Sequence, residues 1–152
     1  MSIDRRTPPT HDFRQVHAAK ARAEEARHRA LLSVSEGLLT VWDVLREAAG
    51  PDGKHLLKLR LARVLEAQPG WSRSRADKVV RHAASLESLA LPTRREVSAT
   101  RVSWVVDARA GARRWLALAD AIKVANDPGP AWPGFPYAPP PKLPPIPGVN
   151  DD

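Results

Sequence analysis

The distribution of proline limits where this 152-residue chain can form packed secondary structure. Ten of its fifteen prolines lie between Asp127 and Asp152, in a segment that contains PGPAWPGFPYAPPPKLPPIPG. Proline has no backbone N–H donor and a fixed φ, so such a run favours polyproline II over a packed helix or strand. Pro8 and Pro9 have the same effect near the N-terminus. The expected organisation is a flexible arm at 1–9, one domain at 10–126 and a proline-rich tail at 127–152.

Between these ends the apolar residues recur with helical spacing, and no alternating strand pattern extends beyond a few residues. We therefore expect an all-α fold, a compact domain of five or six helices. Thr10 and Thr40 are candidate N-caps for the first two helices, and Pro69-Gly70 ends the third. The last helical segment is one long helix or two that break near Gly111. The expected helical segments span about 11–32, 40–49, 54–67, 73–86 and 101–125.

The amphipathic pattern also predicts which faces are buried. In the first helix the apolar residues Phe13, Val16 and Leu31 lie towards the ends, so we expect the ends to pack and a charged middle to face water. The core stripe of the third helix is Leu57, Leu61, Val64 and Leu65. The fourth helix is expected to bury Ala76, Val79, Val80 and Ala83 and to turn Arg75, Lys78 and His82 outward.

Composition restricts the function classes. Lysine and arginine outnumber aspartate and glutamate by 24 to 17, and the net charge of +7 favours anionic partners. The absence of cysteine excludes disulfides, thiolate metal sites and a cysteine nucleophile. The N-terminus has no apolar signal segment, and no run of eighteen apolar residues occurs. We expect a cytoplasmic protein with no membrane partner.

Motifs of known enzyme classes are missing from the sequence. It contains no Walker loop, no GxSxG, no dinucleotide fingerprint and no HExxH, and its five histidines lack metal-ligand spacing. Asp43, Asp77 and Asp107 are isolated from one another, so no pair of acids for general acid–base catalysis can be assigned. We therefore expect a protein without catalytic residues, metal or cofactor.

The positive charge is concentrated around one turn. Between Lys54 and Arg81 there are eight lysines and arginines against two acids. Within the stretch LEAQPGWSRSRADKVV, Arg73 and Arg75 stand where the fourth helix begins, and the first N–H groups of a helix lack intrahelical partners. A phosphate at this point would meet both free donors and cationic side chains. The turn is therefore a candidate anion site, or else an ordinary corner between two helices.

Three further features allow two interpretations each. Trp71 is positioned either to wedge between bases or to pack as a hydrophobic staple on the helix that follows, and we favour the staple. Arg94-Arg95 is expected in a connection rather than in a helix. From this connection the pair either reaches into a nucleic-acid groove or pairs with helix carboxylates. The arginine-rich first helix is a solvated face or an auxiliary DNA contact.

Three motifs in order, KARAEEARHR, KLRLARVLEAQPGWSRSRADKVV and LALPTRREV, resemble the actinobacterial (mycobacterial-type) integration host factor family. The resemblance covers about residues 18–97. It implies a nucleoid protein with a helix-hairpin-helix or helix-two-turn-helix element that binds double-stranded DNA with little sequence preference, bends or compacts it, and assists phage integration. Ser72 stands where the family has its second hairpin glycine, and Trp71 where it has valine.

The resemblance also implies DNA contacts at Lys58, Arg60, Gly70, Arg73, Arg75, Arg94 and Arg95. To these we add Lys78, which the helical pattern turns outward, and Ser72, whose hydroxyl can donate to a phosphate oxygen. The expected protein is a sequence-tolerant architectural DNA binder of the nucleoid, with a monomer favoured. The alternatives are a site-specific repressor, a binder of structured RNA, and an adaptor whose PYAPPPKLPPIP segment docks on a recombinase or another protein.

Overall fold

The computed structural model describes residues 12–127, which form helices and turns without a β-strand. The all-α prediction is confirmed for this part of the chain. Thr10, the arm and residues 128–152 of the proline-rich tail lie outside it. The α-helices, α1 to α7 in chain order, are Phe13–Ser35, Val41–Ala49, Leu61–Glu66, Arg73–Leu86, Arg94–Ala99, Val102–Val105 and Arg113–Asn126, with 3-10 turns at Lys54–Lys58 and Ala108–Ala110. Residues 12–127 form seven α-helices instead of the expected five or six, because the last predicted segment breaks into α6 and α7 and a further helix, α5, forms in a predicted connection.

Helix α1 packs through its C-terminal half alone. Its N-cap is Asp12, whose carboxylate accepts a hydrogen bond of 3.1 Å from the Arg14 N–H. Val34 is buried, whereas Phe13 and Val16 are exposed, so the expectation that both ends pack was wrong for the first end. A 23-residue helix is about 35 Å long, and the main contacts of α1 are with the turn at 54–58 and with α3, both of which lie against its later turns.

Helix α2 begins where the sequence predicts. Thr40 and Asp43 form a capping box, in which the Asp43 N–H donates to the Thr40 hydroxyl and the Asp43 carboxylate accepts from the Thr40 N–H. This backbone hydrogen bond, followed by the one from the Thr40 hydroxyl, lowers the pKa of Asp43 below its usual value. Val41, Val44, Leu45 and Ala48 are buried on one face.

The third predicted helix is broken in two. After the 3-10 turn at Lys54–Lys58 the chain is extended at Leu59 and Arg60, and only then does α3 begin at Leu61. The cause is a long-range backbone pairing: the Leu61 N–H donates to the Thr100 carbonyl at 2.9 Å and the Val102 N–H donates to the Leu59 carbonyl at 2.8 Å. As a result Leu56 and Leu59 join Leu61, Val64 and Leu65 in the core, and Leu57 is only half-buried.

Helix α4 matches its predicted bounds and its predicted buried face. Ala76, Val79, Val80 and Ala83 are all buried. The turn before it follows Pro69 and contains Gly70 at φ +77°, a left-handed conformation that glycine adopts without strain.

The connection predicted after α4 contains a helix. Thr93 caps α5 in a second capping box, with the Glu96 N–H donating to the Thr93 hydroxyl and the Glu96 carboxylate accepting from the Thr93 N–H. Arg94 and Arg95 are therefore the first two residues of a helix and not part of a loop, which corrects the prediction. Pro92 does not prevent this helix. Proline disfavours the helical conformation of the residue before it, and α5 starts after it with Thr93 as the cap.

The last helical segment breaks near Gly111, one of the two predicted outcomes. Gly111 has φ +55° and separates the turn at Ala108–Ala110 from α7. Helix α7 packs on α4, and its residue Leu118 is fully buried in the common core. Trp115 of α7 stacks on Trp42 of α2 with ring centroids 6.2 Å apart. The C-terminal segment thus belongs to the same core as the earlier helices.

Candidate nucleic-acid interface

An open groove runs between α4 and α5. We call it the α4–α5 groove; its volume is about 430 Å³. Five of its lining residues come from α4, and one comes from the start of α5, where the Thr93 cap holds it. They are Arg73, Ser74, Asp77, Lys78, Arg81 and Arg94. Four cations against one carboxylate give the groove a net positive charge.

Asp77 links the two walls of this groove. One carboxylate oxygen lies 3.7 Å from Nε of Arg73 and the other lies 3.7 Å from Nε of Arg94. The Asp77 side chain is only 15% exposed, whereas that of Arg94 is 75% exposed. Arg73 also donates from Nη2 to the Ser98 hydroxyl of α5 at 3.0 Å. These contacts hold α5 beside α4 and keep Arg94 over the groove.

Lys78 and Arg81 are the cations of the groove that form no ion pair within residues 12–127. Both are exposed, and neither forms an ion pair or a side-chain hydrogen bond with another residue in that range. They are three positions apart on α4 and so lie on neighbouring turns of one face. Arg81 was not among the predicted site residues, although its spacing from Lys78 is a signal that the sequence contains.

Arg75, predicted to act together with Arg73, points to the other side of α4. Its guanidinium donates to the Ala125 carbonyl at 3.0 Å and to the Asn126 side chain at the end of α7. The same group lies 4.4 Å from the centroid of the Trp71 ring. Trp71 itself is half-buried and packs against the core, which agrees with the staple interpretation rather than the wedge. Arg73 and Arg75 therefore diverge.

The start of α4 is capped by Ser72. Its hydroxyl accepts a hydrogen bond of 3.2 Å from the Arg75 N–H, and its backbone is extended at φ −91° and ψ 160°. A side chain is thus accommodated where the resembled family has glycine. The N–H groups of Arg73 and Ser74 have no acceptor within residues 12–127, so two backbone donors remain at this end of a 14-residue helix.

The other predicted residues lie outside the α4–α5 groove. Lys58 ends the 3-10 turn, Arg95 is the second residue of α5, and both are exposed. Arg60 is exposed at an isolated antiparallel bridge whose other member is Arg101. Arg101 was missed from the sequence because its position opposite Arg60 depends on a backbone pairing between residues about forty apart.

Within residues 12–127 no group of three or more His, Asp or Glu side chains is arranged to hold a metal ion. The pKa of Glu96 is lowered, first by the hydrogen bond from the Thr93 N–H and then by the one from the Thr93 hydroxyl, just as the pKa of Asp43 is lowered in α2. Capping explains both shifts.

None of the helices in the described range is long and apolar enough to span a membrane. Comparisons of the chain with protein-family models, with curated proteins and with solved structures found no match. The resemblance to integration host factors therefore stays a prediction from the motifs.

Proposed function

We propose that this protein binds double-stranded DNA with little sequence preference and holds backbone phosphates in the α4–α5 groove. The observation that carries the proposal is the combination of four cations in that groove with a single, already paired carboxylate. Phosphate contacts of this kind supply most of the affinity of non-specific DNA binding. Lys78 and Arg81 can each reach a phosphate without first breaking an ion pair.

The start of α4 adds donors suited to an anion. The free N–H groups of Arg73 and Ser74 border the groove, and the positive end of the helix dipole lies at the same place. A phosphate entering the groove from this end would meet backbone donors, and one entering further along would meet Lys78 and Arg81. Several phosphates of one strand can be accommodated in this way.

The side chains around the groove favour phosphate contacts over base reading. Discrimination of bases in the major groove relies on bidentate pairs, with asparagine or glutamine on adenine and arginine on guanine. On α4 the groove residues after Arg73 are Ser74, Asp77, Lys78 and Arg81, without an amide side chain. This supports a sequence-tolerant binder over a site-specific repressor.

An architectural role completes the proposal. Bending or compaction of DNA in the nucleoid, through a helix-hairpin-helix-like element at the turn with Gly70, and assistance to site-specific recombination follow from the resemblance to integration host factors. The left-handed Gly70 and the capped start of α4 are compatible with such an element.

A salt titration of binding to a short duplex tests the proposal. If about five to eight phosphates are contacted, log affinity falls against log salt with a slope of roughly −4 to −7. The variant Lys78→Gln/Arg81→Gln is expected to make this slope shallower by about 2. Arg109→Gln/Lys123→Gln removes the same charge from exposed positions outside the groove and should leave the slope nearly unchanged.

Four results would contradict the proposal. Binding that is insensitive to salt, or no binding at low salt, would eliminate a phosphate-based mechanism. Strong preference for one duplex among unrelated sequences, lost in the groove variant with the slope retained, would instead indicate a repressor. Tighter binding to an RNA duplex of equal length would indicate recognition of structured RNA.

A further inference from the structure

Two arginines face each other across the isolated bridge between the start of α3 and the start of α6. The hydrogen bonds of this bridge join Leu61 to Thr100 and Val102 to Leu59, and so flank Arg60 and Arg101 without joining them. Arg60 and Arg101 are therefore a non-hydrogen-bonded antiparallel pair. In such a pair the Cα atoms are only about 4.5 Å apart and both side chains leave the same face. We call these two residues the arginine pair.

The core fixes the backbone positions from which both arginine side chains extend. Leu59, Leu61 and Val102, which alternate with the arginines along the two segments, are all buried. Because neighbouring residues of an extended segment point in opposite directions, burial of these three holds Arg60 and Arg101 towards solvent. Both arginines are exposed. Their backbones cannot separate without disturbing the core.

This arrangement places two positive charges together without a counter-charge. Like charges directly opposite each other on paired segments are unfavourable. Within residues 12–127, neither guanidinium has an acid at ion-pair distance or a side-chain hydrogen bond, in contrast to Arg73 and Arg94, which share Asp77. An oxyanion between the two guanidinium groups would remove the repulsion.

We propose that the arginine pair is a phosphate-binding site, and that its ligand is a phosphodiester of the same DNA duplex that occupies the α4–α5 groove. The guanidinium group is a planar fork that binds phosphate oxygens in a bidentate manner, so two forks can hold one phosphate from two sides. That the phosphate belongs to DNA rests on the function proposed above. That the pair binds a phosphoryl oxyanion rests on the pair alone.

The groove and the arginine pair are close enough to contact one duplex. Helix α5 starts in the groove with Arg94, and its end leads through Thr100 into Arg101. From Arg94 to Ala99 the helix rises about 8 Å, which is much less than the roughly 34 Å of one turn of duplex DNA. The groove and the arginine pair can therefore contact phosphates that belong to a single turn of one duplex.

A double-mutant cycle in the full chain tests whether the two arginines share one phosphate. Arg60→Gln and Arg101→Gln should each weaken duplex binding by about threefold, and the double variant should fall well short of the ninefold product. The salt slope should become shallower by about 1 in the double variant, since one phosphate contact is lost rather than two. Additive losses with a slope change near 2 would overturn the shared site.

Two further variants separate the pair from general charge. Arg46→Gln removes a cation that is already paired with Asp43 at 3.6 Å, and it should change neither affinity nor slope appreciably. Arg60→Lys/Arg101→Lys keeps both charges but loses the bidentate forks, so it should keep the slope while binding the duplex more weakly. If the arginine-to-glutamine double variant behaves like Arg46→Gln, the inference is wrong.

The source of the phosphate is distinguished by NMR of the arginine Nε–Hε signals during titrations with a duplex and with inorganic phosphate. The proposal expects the signals of Arg60 and Arg101 to shift with the duplex, and more strongly than with phosphate. Shifts with phosphate and none with a duplex that binds elsewhere on the protein would assign the pair to a free anion and overturn the DNA part.

If the wild-type protein does not bind duplex DNA at low salt, the proposed function and the DNA part of the inference both fall. The titration with inorganic phosphate then tests the oxyanion site by itself. Shifts of the Arg60 and Arg101 Nε–Hε signals support this site, and the absence of shifts overturns it.

Discussion

Asp77 is the residue around which the cations of the α4–α5 groove are arranged. Its carboxylate lies 3.7 Å from each of two arginine Nε atoms, yet none of these contacts is short enough to be a hydrogen bond. One Asp77 oxygen and Nε of Arg73 are in fact buried without a hydrogen-bond partner within residues 12–127. Because neither contact is a hydrogen bond, an approaching phosphate can compete with the Asp77 carboxylate for both arginines.

Asp77→Asn should therefore strengthen binding to duplex DNA. The substitution removes the one negative charge that competes with phosphates for Arg73 and Arg94, and we expect an affinity gain of about three- to tenfold at low salt. Unfolding in urea should show a loss of roughly 1 kcal/mol from the missing ion pairs.

Asp120→Asn is the matched control, because Asp120 is an exposed acid of α7 outside the groove. It changes the net charge equally and should alter affinity less. Weaker binding by Asp77→Asn than by the wild type would mean that the carboxylate is needed to position the arginines.

At the scale of the element, α5 illustrates how a short helix depends on its cap. Six residues make too few internal hydrogen bonds for a stable isolated helix. The Thr93–Glu96 capping box satisfies two orphan groups at its start, and Val97 anchors it in the core. The positions of Arg94 and Arg95 follow from these local interactions.

The capping box should make α5 sensitive to acid. Because the folded-state pKa of Glu96 is lowered from 4.5, its ionised form stabilises the native state above about pH 4.5, and this contribution is lost as the pH falls through the folded value. The difference in unfolding free energy between the wild type and Glu96→Gln, measured in urea from pH 7 to pH 3, should be constant near neutrality and should shrink below pH 4.5.

Comparison with Glu96→Gln cancels the parallel contribution of Asp43 in α2, which is the same in both proteins. A difference that does not vary with pH would show that the cap acts without its charge.

At the scale of the whole molecule, α7 makes the residues after α5 part of the same domain as the earlier helices. The helix packs along α4, its Trp115 stacks on Trp42 of α2, and its end accepts hydrogen bonds from Arg75. The cation-bearing helix α4 is thus held between α3 and α7.

Two leucines of α7 test this integration. Leu118 is fully buried and Leu116 is 63% exposed. Leu118→Ala should lower the free energy of unfolding by about 2–5 kcal/mol, because it leaves a cavity in the common core. Leu116→Ala should change it by less than about 0.5 kcal/mol. Urea denaturation followed by far-UV circular dichroism measures both, and equal effects would contradict a shared core.

Features that depend on neighbours in the chain could be predicted from the sequence alone. The helical class, the cap at Thr40, and the bounds and buried face of α4 follow from apolar spacing and capping chemistry, which act over a few residues. The break at Gly111 was also within reach, because glycine tolerates a left-handed turn. The sequence likewise indicated that the charge is concentrated around α4.

The tertiary structure alone decided which cations stand together. Leu59 and Arg60 leave the helical pattern because they pair with a segment some forty residues away, and that pairing brings Arg101 opposite Arg60. Arg73 and Arg75 were predicted as one clamp, but Asp77 and Ser98 attract the first while the end of α7 attracts the second. Such choices depend on contacts between distant parts of the chain, which local periodicity does not encode.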